Sequence, residues 1–376
     1  MNPLKAIITS IAVLSLAVNA FAQATLKDTF GKYFLIGAAL NPSEFCESNA
    51  AAATLVKKQL NSISPENVLK WEAIHPLPGQ FDFSLADRYV QFGVTNHMFI
   101  VGHNLIWHSQ TPDWVFQNAD SKPVDRDTLL ARMREHIFTV VGRYKGKING
   151  WDVVNEAISE NGQMRKSQWQ QIIGDDFVVK AYQFAHEADP DAQLYYNDYG
   201  LESSSKQKGA IALIEKLQAA GVKVAGVGLQ GHYRMDRPTT DQIDRAITAF
   251  SALGIKVMIT ELDINMLPSA MRNDTADVSY NEAARPDLNP YTNGLPDSVQ
   301  QQLALRYASL FEVFWKHRTE IARVTFWGLK DDDSWLNDWP IKGRTAYPLL
   351  FGRDLLPKPA FAAVLRVVTG DLAIKP

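Results

Sequence analysis

Short strand-like runs recur eight times along the chain, each followed by a stretch with helical spacing. The runs fall at residues 33–39, 61–64, 98–101, 148–154, 193–196, 224–229, 257–260 and 324–328. The helical stretches between and after them fall at 50–59, 85–93, 127–144, 167–187, 205–220, 241–253, 296–318 and 359–369. Several runs are almost wholly apolar, which suits strands covered on both faces. Gly221 and Gly254 stand where two of the helices should stop. Strand alternating with helix predicts a parallel sheet, and eight repeats of the unit predict a closed (β/α)₈ TIM barrel of the α/β class. No linker rich in Gly, Ser or Pro divides the chain, so one barrel is expected over residues 23–376, with 23–32 as a short lead-in.

Residues 1–22 read as a secretory signal peptide. They carry Lys5, an apolar core and Ala20-Phe21-Ala22 ahead of Gln23. The apolar core is too short for a membrane span. A secreted or periplasmic protein, and no membrane partner, is therefore expected. The chain has 376 residues with net charge −3, which gives no basic surface for nucleic acid. Cys46 is the only cysteine, so folding relies on the core without an internal disulfide. A monomer is expected. Nine Trp are enough to supply both core and flat platforms for sugar rings.

Polar residues gather where the runs end: Glu66, Asn67 and Lys70; His103, Trp107 and His108; Asn155 and Glu156; Asn197 and Tyr199; Gln230 and His232; Glu261 and Asp263; Trp327 and Trp335. Any one cluster has a plain structural explanation. A single histidine is usually a hydrogen-bonded core residue, and Asp331-Asp332-Asp333 reads as a solvated charge run. In a (β/α)₈ barrel, however, all the C-terminal strand ends ring one mouth, where barrel enzymes carry their sites. Glu261 and Asp263 sit at i and i+2 and so share a face of their strand. Glu156 and Glu261 leave the fourth and seventh strands, on roughly opposite sides of the barrel. Two carboxyls facing across a mouth meet the needs of glycoside hydrolysis. One is protonated for the leaving oxygen, and the other is ionised for the developing oxocarbenium ion. Mutual repulsion and burial separate their pKa values. His103 and His108 are five residues apart, not at the helical i, i+4 spacing of a zinc pair. Gly-rich phosphate loops are also missing after the seventh and eighth runs. No metal and no cofactor are expected.

The segments Trp151-Asp152-Val153-Val154-Asn155-Glu156-Ala157 and 254–264 closely resemble the acid/base and nucleophile segments of glycoside hydrolase family 10, the endo-β-1,4-xylanases. Residues 66–71, 102–110, 196–199, 228–232 and 326–335 are similar to the family's other motifs, in order. The resemblance implies retaining hydrolysis of xylan and xylo-oligosaccharides, with Glu156 as acid/base and Glu261 as nucleophile. It implies that Asn155 donates to the 2-hydroxyl of the sugar being cleaved. Gln230 and His232 would orient the carboxylates, with His232 bridging Glu261 and Asp263. Glu66, Asn67, Lys70, His103 and Gln110 would floor the glycone subsites. Trp327 and Trp335 would wall the reacting sugar, and Trp107 would support that side. Asn197 and Tyr199 would contact the sugar near the cleavage point, Tyr199 on the leaving-group side. The chain departs from the family pattern at Gly231, where Ser is common, at Asn104, where Thr is common, and in the long stretch 265–295. The alternatives are a β-1,4-glucanase on a related barrel and a catalytically silent sugar-binding barrel.

Overall fold

A computed structural model describes residues 24–370 apart from 270–282 and 284. The leader at 1–22 and much of the 265–295 stretch lie outside the described residues. Nine parallel strands follow in chain order: β1 (Leu35–Leu40), β2 (Ser62–Pro65), β3 (Phe99–Trp107), β4 (Gly150–Asn155), β5 (Gln193–Asp198), β6 (Gly226–Leu229), β7 (His232–Arg234), β8 (Lys256–Asn265) and β9 (Ile321–Phe326). Each of β1 to β5 pairs with the next, β6 pairs with β8, β8 with β9, and β9 with β1. Eight strands thus close into a TIM barrel.

The short strand β7 is the one outside the eight-run pattern, and it matters for the site. β6 stops at Leu229, and Gly231 turns the chain with φ +85°. β7 then pairs only with the far half of β8, setting His232 opposite Asp263. Only glycine adopts that φ freely, and a Cβ there would meet Ile259 Cγ2 at 2.9 Å. A side chain at Gly231 would therefore strain this turn.

Other differences are local. The helix expected at 167–187 is two, Gln168–Ile173 and Phe177–Ala188, broken at Gly174 with φ +96°. The lead-in contains a helix, Leu26–Phe30, whose N-cap Thr25 accepts from the Asp28 amide. β3 and β8 run on through the polar clusters, because neighbouring strands keep pairing with them there. The aspartate run is not simply solvated. Asp331 is fully buried, and Lys358 Nζ donates to its Oδ2 at 2.9 Å while the Leu349 amide donates to its Oδ1 at 2.9 Å. The described ends of the 265–295 stretch are anchored: Leu267 packs with Leu336 and Ala346, and the Thr345 amide donates to Asn289 Oδ1 at 2.9 Å.

The barrel wall is packed closely enough that small residues are demanded by large neighbours. Gly102 in β3 lies in register with Trp151 in β4, and a Cβ at Gly102 would fall 2.1 Å from the indole. Trp151 is itself fully buried and has no free space to enter. Gly102→Val is therefore expected to destabilise the fold by about 1–3 kcal/mol or more. The measurement is a lower urea midpoint at unchanged slope.

Candidate active site

Glu156 is the first residue after β4, and its backbone is left-handed at φ +59°. This conformation costs a non-glycine residue about 1 kcal/mol or more. Tertiary contacts hold it there. The Glu156 amide donates to the Asn197 carbonyl at 2.9 Å, and Arg165 Nε donates to the Glu156 carbonyl at 2.9 Å. The turn carries the carboxyl inward, where Trp107 Nε1 donates to Oε2 at 2.9 Å and Gln230 Nε2 donates to Oε1 at 3.0 Å. His108 Nδ1 lies 4.0 Å from Oε2.

Glu261 lies within β8. Asn197 Nδ2 donates to its Oε1 at 2.7 Å, and His232 Nε2 meets its Oε2 at 3.1 Å. The other ring nitrogen, His232 Nδ1, meets Asp263 Oδ2 at 3.0 Å. The two carboxyl sites are joined through amides. The Asn155 side-chain oxygen accepts from Asn197 Nδ2 at 2.9 Å and from Gln230 Nε2 at 3.3 Å. The reverse orientation of the Asn155 amide would gain the Asn197 carbonyl and Trp107 as partners. It would also set three amide nitrogens face to face, so the first orientation is the better one.

Burial drives the electrostatics, and partners decide its outcome. Glu156 is pushed up by desolvation, which the Gln230 and Trp107 hydrogen bonds only partly offset. Glu261 also feels burial, but the His232 hydrogen bond, the charges of His103 and His232, and the Asn197 amide outweigh it and hold the carboxyl below its ordinary range. For His232, burial opposes the charged ring; Asp263 and Glu261 prevail and hold it up at about 10. Both ring nitrogens are then protonated and both donate. The result is one carboxyl biased toward the acid form and one toward the anion.

A hollow of about 150 Å³ holds these groups together with most of the sequence-derived candidates. Glu66, Asn67, Lys70, His103, Trp107, Gln110, Asn155, Glu156, Gln230, His232, Glu261, Trp327 and Trp335 all line it. Lys70 Nζ donates to Asn67 Oδ1 at 2.9 Å and to Gln110 Oε1 at 2.8 Å. Burial pushes its ammonium down and the Glu66 carboxyl up. His103 Nδ1 bonds Asp152 Oδ2 at 2.9 Å, beneath the Trp327 ring. Trp335 Nε1 donates to Asp263 Oδ2 at 2.8 Å.

Three candidates sit elsewhere. Asn197 is expected from sequence to touch the sugar, but it is fully buried. It acts through Glu261 and Asn155, and Thr260 Oγ1 donates to its Oδ1 at 2.6 Å. Asp263 and Tyr199 line an adjoining cavity. Tyr199 lies over the buried Lys206–Asp198 ion pair, with Lys206 Nζ 3.3 Å from the ring centroid and 2.9 Å from Asp198 Oδ1. Its hydroxyl donates to Glu160 and accepts from Arg165 Nη2 at 2.9 Å.

Arg165, Thr260 and Trp169, which donates to the Trp107 carbonyl at 2.9 Å, are site residues missed in the sequence. Arg165 and Trp169 sit outside the polar strand-end clusters that point to a mouth. For Thr260, its place beside Glu261 was the available signal.

Two outcomes are expected. His232→Ala removes the cation between two like charges, so the Glu261 pKa rises and the acid limb of the pH–rate profile moves to higher pH. An unmoved acid limb with normal turnover would leave His232 a purely structural role. Arg165→Gln frees the Glu156 carbonyl and the Tyr199 hydroxyl together. Turnover of a glycoside with a poor leaving group should fall about tenfold to a hundredfold. An aryl glycoside with an acidic phenol should lose less.

The profile of Glycosyl hydrolase family 10 matches residues 25–367. Endo-1,4-beta-xylanase A of Xylanibacter ruminicola is 42% identical over 98% of this chain and 100% of its own. A solved GH10 endoxylanase retrieved from a sugarcane soil metagenome superposes with a TM-score of 0.88 at 44% identity, covering 91% of this chain and 99% of that one. A xylanase mutant from Thermoanaerobacterium saccharolyticum, solved with xylotetraose, gives a TM-score of 0.78 at 36% identity over 90% of this chain and 97% of that one. With a profile match across nearly the whole barrel and a site built from two opposed glutamates, the chain belongs to glycosyl hydrolase family 10.

Proposed function

We propose that this protein is an endo-1,4-β-xylanase that cleaves xylan and xylo-oligosaccharides with net retention. The observation that carries the mechanism is the pair of opposite biases in one hollow, Glu156 held up and Glu261 held down. In the first step the Glu261 carboxylate attacks the anomeric carbon as the glycosidic C–O bond breaks. The Glu156 proton passes to the leaving oxygen, leaving a glycosyl ester on Glu261. In the second, Glu156, now a carboxylate, takes a proton from water. The water oxygen attacks the anomeric carbon, the ester bond breaks, and both side chains return to their starting forms. Gln230 and Trp107 stay on the Glu156 oxygens in both steps, while the His232 imidazolium keeps Glu261 a good leaving group. Asn155 is read as the contact for the 2-hydroxyl.

A glucanase reading is not favoured, since the named relatives described above are xylanases. The apolar leader at residues 1–22 supports export to the periplasm or medium, with cleavage after Ala22. Mature protein beginning elsewhere than Gln23 would count against that cleavage point.

The two glutamates should fail differently. Glu156→Ala should nearly abolish xylan hydrolysis, because a sugar alkoxide leaves poorly without a proton. An aryl xylobioside with an acidic phenol should still give a burst of phenol, and azide should restore turnover as the β-azide. Glu261→Ala should give no burst with any leaving group. Equal loss on activated and natural substrates in Glu156→Ala, with no azide effect, would sink the assignment. Proton NMR of the wild-type reaction should show the β-anomer first.

A further inference from the structure

A second cavity, of about 310 Å³, lies beside the catalytic hollow and shares His232 and Trp335 with it. Its size is at the lower end of the about 300–1,000 Å³ usual for small-ligand sites. Tyr199, which the family resemblance puts on the leaving-group side, stands on its wall. Trp335 and Trp339 stack within it, centroids 4.6 Å apart at 15°, and offer a flat apolar face.

Among the described residues, the charged groups on this cavity's wall are not balanced. Arg234, at the end of β7, gives Nη2 to the Leu267 carbonyl at 2.9 Å. Arg344 gives Nη2 to the Trp339 carbonyl at 3.0 Å and is only 5% exposed. Neither guanidinium pairs with a carboxylate among the described residues. They are close enough that Arg234, after burial, helps hold Arg344 below its ordinary pKa. Each guanidinium has five N–H donors, and main-chain carbonyls take only some of them. The cavity's carboxyls are already committed. Glu202 accepts from the Tyr233 hydroxyl and is pushed up by burial, away from its charged form. Asp263 balances the His232 imidazolium. Among the described residues positive charge is left over, next to the hollow proposed to hold xylan.

We propose that this cavity recognises a uronic-acid side group on the xylan chain, with Arg234 and Arg344 receiving its carboxylate and the Trp339 face covering its ring. The inference rests on the xylanase reading. A neutral side sugar would fill the space but leave the guanidiniums without a counter-charge. A planar carboxylate matches their fork.

The test compares Arg234→Gln with wild type on three substrates: a linear xylo-oligosaccharide, the same chain with one glucuronyl branch, and that branched chain after reduction of its carboxyl to an alcohol. Arg234→Gln should lower kcat/KM on the glucuronyl substrate about tenfold, the worth of one charge-assisted contact. The linear and carboxyl-reduced substrates should be unaffected. Arg344→Lys, which keeps the charge and loses the fork, should show the same selective loss. Equal rates of wild type on charged and reduced branches, or an equal loss on all three substrates in the variant, would overturn the inference alone. No cleavage of the linear chain by wild type would overturn the xylanase reading, and this inference with it.

Discussion

A single imidazolium between two carboxylates sets the terms for the rest of the site. His232 gives one nitrogen to Glu261 and the other to Asp263, and they hold its proton up to about 10. The arrangement needs the break after β6, the left-handed turn at Gly231, and the short β7 pairing beyond the end of its neighbour. It also ties catalysis to stability. A histidine whose folded pKa is raised contributes stability in full below its ordinary value of about 6.5. That contribution fades as pH climbs toward 10. The ionised state of Glu261 and part of the fold's resistance to alkali thus draw on the same proton.

The two glutamates are coupled through neutral amides as well as through space. Gln230, Asn155 and Asn197 run from one carboxyl to the other without a charged group between them. Buried amides are satisfied here only if each keeps its orientation. The barrel supplies that order, since the amides come from or just beyond the ends of the neighbouring strands β4, β5 and β6. When a proton moves at Glu156 the amides do not need to turn, because both its oxygens already have donors.

The barrel was legible because its apolar runs and helical stretches alternate without interruption, and the mouth because polar residues gather at the ends of the runs. What the sequence hid was mostly non-local. Asn197 looks like any polar residue at a rim, yet the closing of β5 against β6 and β8 removes it from solvent. Arg165 has no periodic signal, because its role depends on a loop folding back on the chain. Asp331 sits in a run of three aspartates that reads as surface, while its partner Lys358 lies far along the sequence. The break at Gly174 could have been read from the glycine, but helical spacing on both sides of it masked the interruption.

The left-handed backbone at Glu156 has a consequence for how this protein tolerates change. The position combines a disfavoured φ with a carboxyl that burial desolvates, and both cost the fold stability. Glycine would relax the backbone and remove the desolvated acid in one step. The chain would shed both costs together with the group proposed as its acid/base, leaving Trp107 and Gln230 to find another acceptor. On the proposed mechanism, selection for heat resistance and selection for turnover pull this residue in opposite directions.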